Sequence, residues 1–252
     1  MSADGRGTGE TGAAPAPFPQ AAPPPPAGAE GVLGDRLGVA ERFAGLLSDT
    51  GVSHGLVGPR EVPIVWERHI LNCAVAHEAF PEGAQLVDVG SGAGLPGVAL
   101  AIARPDLHVH LVEPMLRRTT WLSATIDELG LTNCTVHRGR AEDFHGVLTL
   151  PFATARAVAR IDKLASWTFP LLRDGGTLVA LKGGRVEEEL TAQEVVLRRL
   201  GMTSSAIHRY GEGVLDVPTV TLELTVGPRA TPPARPRRDG RGTKPKRGAN
   251  RR

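Results

Sequence analysis

The amino-acid sequence predicts an open α/β fold, a parallel sheet covered by helices on both faces and closed by an antiparallel strand. Three observations lead there. From residue 85 onward, short apolar runs alternate with longer segments of helical periodicity, the pattern of a parallel sheet buried on both sides. The first run, Leu86-Val87-Asp88-Val89, passes straight into a glycine-rich turn followed by a helix-compatible stretch. The last two strands, near Ser204–Arg209 and Thr219–Val226, are joined by the turn-rich segment Gly211–Pro218 with no helix between them. The final strand therefore returns antiparallel.

The elements follow in order. Arg36–Leu47 places Leu37, Val39, Ala40, Phe43, Leu46 and Leu47 at near-helical spacing, and a second helical stretch runs from about Val65 to Phe80. Pro81-Glu82-Gly83 breaks the chain before the first strand. Val98–Ala103 reads as a helix stopped by Pro105, and His108–Val112 as a strand ended by Glu113-Pro114. Leu116–Leu129 is a helix closed by Gly130. Thr135–His137 and Phe152–Arg156 are short strands, and Ile161–Leu172 is a helix ended by Asp174-Gly175-Gly176. Thr177–Leu181 is a buried strand reaching Lys182, and Val186–Leu200 a helix closed by Gly201.

Composition sets the outer limits. Of the 252 residues, 1–33 hold seven prolines and six glycines without apolar periodicity, and 227–252 hold eight Arg, two Lys and one Asp. Neither end buries enough apolar surface to offset its ordering entropy, so both are predicted to be disordered tails. One domain remains at 34–226, a helical extension (34–83) followed by the sheet core (84–226). The basic tail carries a net +9 and the N-terminal segment −2, leaving the body at −5 although the whole chain is +2. Attraction to a polyanion must then come from the tail and from local arginine clusters.

No run approaches 18 uncharged apolar residues, so no membrane partner is expected. The start lacks the pattern of a signal peptide. Cys73 and Cys134 make neither a disulfide framework nor a zinc site, and the eight histidines lack metal-ligand spacing. The chain reads as cytosolic, with no metal expected.

The sharpest signal is Asp88-Val89-Gly90-Ser91-Gly92-Ala93-Gly94-Leu95-Pro96-Gly97. A strand enters it and a helix leaves it, and in open α/β sheets ligands bind beyond such strand ends. Glu113 ends the second strand, where a carboxylate can accept hydrogen bonds from both hydroxyls of a ribose. The pair implies an adenosine-type ligand. A P-loop is excluded because no lysine follows Ser91. A dinucleotide site would need G-x-G-x-x-G, which Gly92–Gly97 matches literally but three residues beyond the strand end. The better alignment is acidic-x-Gly-x-Gly-x-Gly over Asp88, Gly90, Gly92 and Gly94, the motif of S-adenosylmethionine-dependent methyltransferases.

With Arg68-His69-Ile70-Leu71, the Leu95-Pro96-Gly97 extension, Arg138-Gly139-Arg140-Ala141-Glu142-Asp143, Ala155-Arg156-Ala157-Val158-Ala159 and Leu181-Lys182-Gly183-Gly184, residues 36–226 resemble one family. It is the glucose-inhibited division protein B group, bacterial guanine-N7 methyltransferases of 16S ribosomal RNA. The resemblance implies a Rossmann-like, seven-stranded S-adenosylmethionine-dependent methyltransferase fold with an N-terminal helical extension. It implies that Gly90 and Leu95 line the methionine and ribose portion, that Glu113 holds the ribose, and that Ala141 and Glu142 flank the adenine. Arg156 would sit where cofactor meets guanine, with His69 at the pocket mouth, both positioning groups and not general bases. The partner implied is 16S rRNA or the small ribosomal subunit; separately, the chain is expected to be a monomer. Asn72-Cys73 departs from the family's usual Asp-Ser.

Guanine N7 has a lone pair and no proton, so methyl transfer to it needs alignment and no base. The chain accordingly lacks the Asn-Pro-Pro-Tyr segment of amino-group methyltransferases. Cys73 and Cys134 are expected to be packed, as are Trp66, Trp121 and Trp167. Arg138, Arg140, Lys182 and Arg185, close to strand carboxyl ends, are the candidate RNA contacts, with the basic tail adding salt-sensitive affinity for phosphates. Two alternatives stay open: a methyltransferase of the same fold acting on a small molecule or protein, and a catalytically silent RNA-binding protein.

Overall fold

The computed structural model describes residues 21–228. A seven-stranded sheet is built from β1 (Gln85–Val89), β2 (His108–Glu113), β3 (Cys134–Arg138), β4 (Leu150–Arg156), β5 (Leu172–Lys182), β6 (Met202–Tyr210) and β7 (Thr219–Val226). Their spatial order is β3-β2-β1-β4-β5-β7-β6. Neighbours from β3 to β5 pair in parallel, whereas β7 runs antiparallel to both β5 and β6. After β1 the chain builds outward through β2 and β3, then crosses back to lay β4 against the other side of β1. The carboxyl ends of β1 and β4 thus splay their loops apart, the position where open α/β sheets bind ligands.

Two cores flank the sheet. On one face Leu86, Val109, Leu111, Val179 and Leu181 pack under α4 (Gly97–Ala103) and α5 (Leu116–Leu129). On the other, Val87, Val89, Val112, Ala153, Ala155 and Ala180 pack under α6 (Ile161–Thr168) and α7 (Val186–Leu200). Strand residues alternate between the two faces with period two, so both sides of each central strand are apolar. Gly130 closes α5 in the left-handed conformation, as expected from its place after the last periodic residue. Three glutamates in the first turn of α7 and Arg198-Arg199 in its last complement the helix dipole.

The N-terminal helices join the first core. α1 (Ala29–Leu33) and α2 (Leu37–Leu46) lie with α3 (Leu71–Ala74), which continues a run of wider and tighter helical turns from Pro59 to Ala79. Trp66 and Phe43 are among the largest fully buried side chains. Here the sequence boundary at 34 needs correcting. Residues 21–33 were assigned to a tail, yet Ala29 and Leu33 are buried, and the Trp66 indole Nε1–H donates to the Pro23 carbonyl at 2.8 Å. One buried turn and a single tertiary hydrogen bond leave no periodic trace in a Pro/Gly-rich sequence. Residues 1–20 and the basic segment 229–252 lie outside the described residues.

A second difference concerns α6. It ends at Thr168, and a tight turn at Phe169–Leu171 leads directly into β5. Pro170 has no N–H to continue the α-helical ladder, so the helix expected to reach Leu172 stops short. Trp66→Ala should lower unfolding free energy by about 3–5 kcal/mol, because the void opens under both the extension and the sheet core. Urea denaturation of the purified chain measures it.

Candidate active site

The turn after β1 is fastened from three sides. The Gly90 and Ser91 amides donate to the Val112 carbonyl at 2.9 and 3.2 Å, tying the turn to the end of β2. The Gly92 amide donates to Glu113 Oε2 at 3.1 Å, and the Met115 amide to Glu113 Oε1 at 3.0 Å. Beneath the turn, Asp88 Oδ2 accepts the Gly97 amide at 3.0 Å. Gly90 adopts φ +75°, and a Cβ there would press on Val158 from the β4 loop at 3.1 Å, so the two loops meet at this glycine.

Above the turn opens a cavity of about 630 Å³, within the range that encloses a ligand of nucleoside size. Its walls include Gly90, Gly92, Leu95, Glu113, Ala141, Glu142 and Arg156. These are seven of the nine residues expected to contact a cofactor. The other two lie below. Asp88 is wholly buried and holds the first turn of α4. Gly94 is a packing glycine, since a Cβ there would meet Val98 at 2.6 Å.

The cavity also takes in Glu61 and Met115, which the sequence did not single out, and Trp167. Trp167 was expected in the core, but α6 turns it half outward, with the Lys163 ammonium 5.1 Å from its ring. Nothing in the periodicity of α6 distinguishes a residue facing the core from one facing a cavity at its edge. Trp66 is sealed in the extension and offers no stacking surface.

At the cavity mouth three side chains from separate elements form a chain of hydrogen bonds. Arg156, at the end of β4, donates to His69 Nδ1 at 2.9 Å and to the Arg68 carbonyl at 2.9 Å. His69 Nε2 in turn meets Glu61 Oε2 at 3.0 Å. A guanidinium can only donate, so Nδ1 is the acceptor and Nε2 carries the proton. Burial first, then the Arg156 charge, push His69 down to about 4. The imidazole is neutral at pH 7, with both nitrogens committed. The sequence marked Arg156 and His69 separately; Glu61 carries no motif.

Asp88 is shifted the other way. Burial raises it to about 7, against the lowering effect of the Gly97 amide, and its Oδ1 has no hydrogen-bond partner. The thiols of Cys73 and Cys134 are pushed up by burial to about 11 and about 12, so neither is a thiolate at neutral pH.

The candidate RNA contacts separate. Arg140 borders the cavity, whereas Lys182 lines a second, smaller one. Arg138 and Arg185 are exposed and line neither.

Fold and cavity together define an S-adenosylmethionine-dependent methyltransferase: this strand order, a glycine turn at the β1 end, and a carboxylate closing β2. Solved structures share the fold. One is Methanococcus jannaschii TYW2 in complex with AdoMet, with TM-score 0.50, 17% identity, and coverage of 66% of this chain and 78% of that one. Another is a SAM-dependent methyltransferase from Aquifex aeolicus, with TM-score 0.50, 14% identity, and coverage of 69% and 98%. Sequence narrows the class. The family model for rRNA small subunit methyltransferase G matches residues 37–216. Relatives named ribosomal RNA small subunit methyltransferase G are 50% identical over 83% of this chain and 91% of their own length in Thermobifida fusca. In Streptomyces coelicolor the figures are 51%, 81% and 86%. The chain belongs to the rRNA small subunit methyltransferase G family.

Two measurements check the electrostatics and the packing. Asp88 has a folded pKa above its unfolded value, so the folded state holds the extra proton and this group's contribution to stability falls as pH rises from about 4 to about 7. Asp88→Asn should remove that slope from a series of urea denaturation curves over the same window. His69 contributes with opposite sign, losing stability as pH falls below about 6.5, and that limb should persist in the variant. Gly97→Ala, whose Cβ would lie 2.6 Å from Asp88 Oδ2, should destabilise the chain by about 1–3 kcal/mol and weaken cofactor affinity, read by calorimetry.

Proposed function

We propose that the chain transfers a methyl group from S-adenosylmethionine to N7 of a guanine in the 16S rRNA of the small ribosomal subunit, acting as a monomer in the cytoplasm. The observation that carries this reading is the cavity at the β1/β4 divide, with Glu113 closing one side and the Arg156–His69–Glu61 chain the other. The relatives' names supply the substrate class, small-subunit rRNA.

The residues fit the cofactor. Each Glu113 oxygen accepts one backbone amide and keeps a lone pair for a ribose hydroxyl. Ala141 and Glu142, in the turn after β3, and Met115, after β2, border the space for the adenine. Leu95 and the Gly90–Gly92 backbone border the space for the methionine portion. When bound, S-adenosylmethionine supplies an electrophilic methyl group on a sulfonium centre.

A guanine held in line with that methyl group would need only its own N7 lone pair to accept it, with sulfur as the leaving group. No proton moves. The cavity agrees with this economy, because its imidazole has no free nitrogen. Arg156 and His69 instead brace the mouth, holding the β4 loop against the helical extension so that base and methyl group meet in line. Arg140, exposed at the rim, is placed to meet the RNA backbone.

The decisive experiment incubates the purified chain with methyl-labelled S-adenosylmethionine and small-subunit rRNA, then maps modified nucleosides by mass. Label in 7-methylguanosine at one position supports the reading; absence of label in rRNA overturns it. Arg156→Ala should lower turnover about tenfold or more while costing about 1–2 kcal/mol of stability, so activity falls much further than melting temperature. Glu113→Ala should weaken cofactor binding about tenfold or more in the same calorimetric assay.

A further inference from the structure

Beside the main cavity lies a second one of about 230 Å³, lined by Asn72, Ala155–Ala159, Leu164 and Leu181–Gly183. Arg156, Ala157 and Val158 form walls of both, so the two spaces are neighbours across the end of β4. Ala157 stands at that divide with φ +54°, the only left-handed non-glycine among the described residues. A strained backbone of this kind persists where its surroundings hold it, and such positions cluster at functional sites. The second cavity is smaller than those that enclose a whole drug-sized ligand, about 300–1,000 Å³, and is of a size for a single base.

Two cations line it, and both are engaged. Lys182 is paired with Glu189 at 2.9 Å and donates to the Ala159 carbonyl at 3.4 Å, while Arg156 donates to His69 Nδ1 and to the Arg68 carbonyl, both at 2.9 Å. A phosphate would need an uncommitted cation, and none lines this space. The polar group left is Asn72, and its orientation follows from its neighbour. The Thr219 hydroxyl donates its single proton to the Asn72 carbonyl at 2.7 Å. It can therefore only accept from the Asn72 side chain, which donates through Nδ2 at 2.8 Å. The amide cannot flip without losing that bond. Its Oδ1 has no protein donor among the described residues, yet it is not one of the buried, unpartnered atoms, so it remains open as an acceptor.

We propose that the second cavity seats the target guanine and that Asn72 Oδ1 reads it, accepting from N1–H and the N2 amino group. This rests on the functional reading above and adds the specificity element to it. In guanine the N1–H and N2 amino donors lie on the edge away from N7. A base whose N7 faces the first cavity turns those donors into the second. Adenine presents an acceptor at N1 and would leave Asn72 facing a lone pair, the mismatch that discriminates best in a closed site. Asn72 is thus a specificity-determining residue, locked in orientation by Thr219 at the start of β7.

The test compares the unaltered full-length chain with Asn72→Leu, Asn72→Asp and Thr219→Val. Methyl transfer to small-subunit rRNA, S-adenosylmethionine affinity by calorimetry and melting temperature are measured for each. Asn72→Leu should lower kcat/KM about tenfold or more with cofactor affinity unchanged, and Asn72→Asp, which keeps an acceptor, should recover most of that loss. Thr219→Val, which frees the amide to turn, should give an intermediate loss. Equal transfer by the unaltered and Asn72→Leu chains overturns the subsite alone. So does a parallel fall of activity and melting temperature in both the Leu and Asp variants, which would make Asn72 a packing residue. No transfer by the unaltered chain overturns the functional reading and the subsite with it.

Discussion

A single buried carboxylate anchors the site. Asp88 is sealed at the end of β1, and its bond to the Gly97 amide fixes where α4 begins relative to the strand. The glycine turn between them can then take one course only, and its amides are left facing Val112 and Glu113. Desolvation of Asp88 works against the fold, and the turn geometry it enforces is what that cost maintains. Gly97 is the complement of this arrangement. Its lack of a Cβ lets the helix start directly against the carboxylate and Leu111.

From that anchor the site spreads by contacts between distant segments. Glu113 gathers the β1 turn and the start of α5; Arg156 gathers β4 and the helical extension through Arg68 and His69. The extension is therefore part of the cavity wall as well as a cover for the sheet. Charges of both signs line the cavity: Glu61, Glu113 and Glu142 stand with Arg118, Arg140 and Arg156, Arg118 lies 3.6 Å from Glu113, and the Arg156 guanidinium is occupied by two acceptors at the mouth.

Much of this was legible in the sequence because it obeys local rules. Period-two apolar runs marked the buried strands, Gly130 and Gly201 marked helix ends, and the spacing from Gly90 to Glu113 marked two adjacent strand ends. What stayed hidden depends on side chains that meet only in three dimensions. Glu61 is one unremarkable acid in a Pro-containing turn until His69 reaches it. Trp167 has helix-face spacing whichever way the helix is rotated. Asp88 and Gly94 belong to the motif by pattern, yet Asp88 holds the start of α4 through the Gly97 amide and Gly94 makes room for Val98, because sequence alone does not tell a residue lining a space from one supporting the wall. The α1 segment was missed since a single buried turn has no period to detect.

The strand order bears on how the protein is made. β7 is the last strand along the described residues but sits inside the sheet, between β5 and β6. Its first residue, Thr219, holds Asn72 from 147 positions earlier. While ribosomes synthesise this chain, the sheet must therefore wait with β5 as an open edge until residues beyond 219 emerge. The cavity of β1, β2 and β4 can assemble first, and the neighbouring one is completed only after β7 has emerged. Maturation of the site is thus ordered in time by topology.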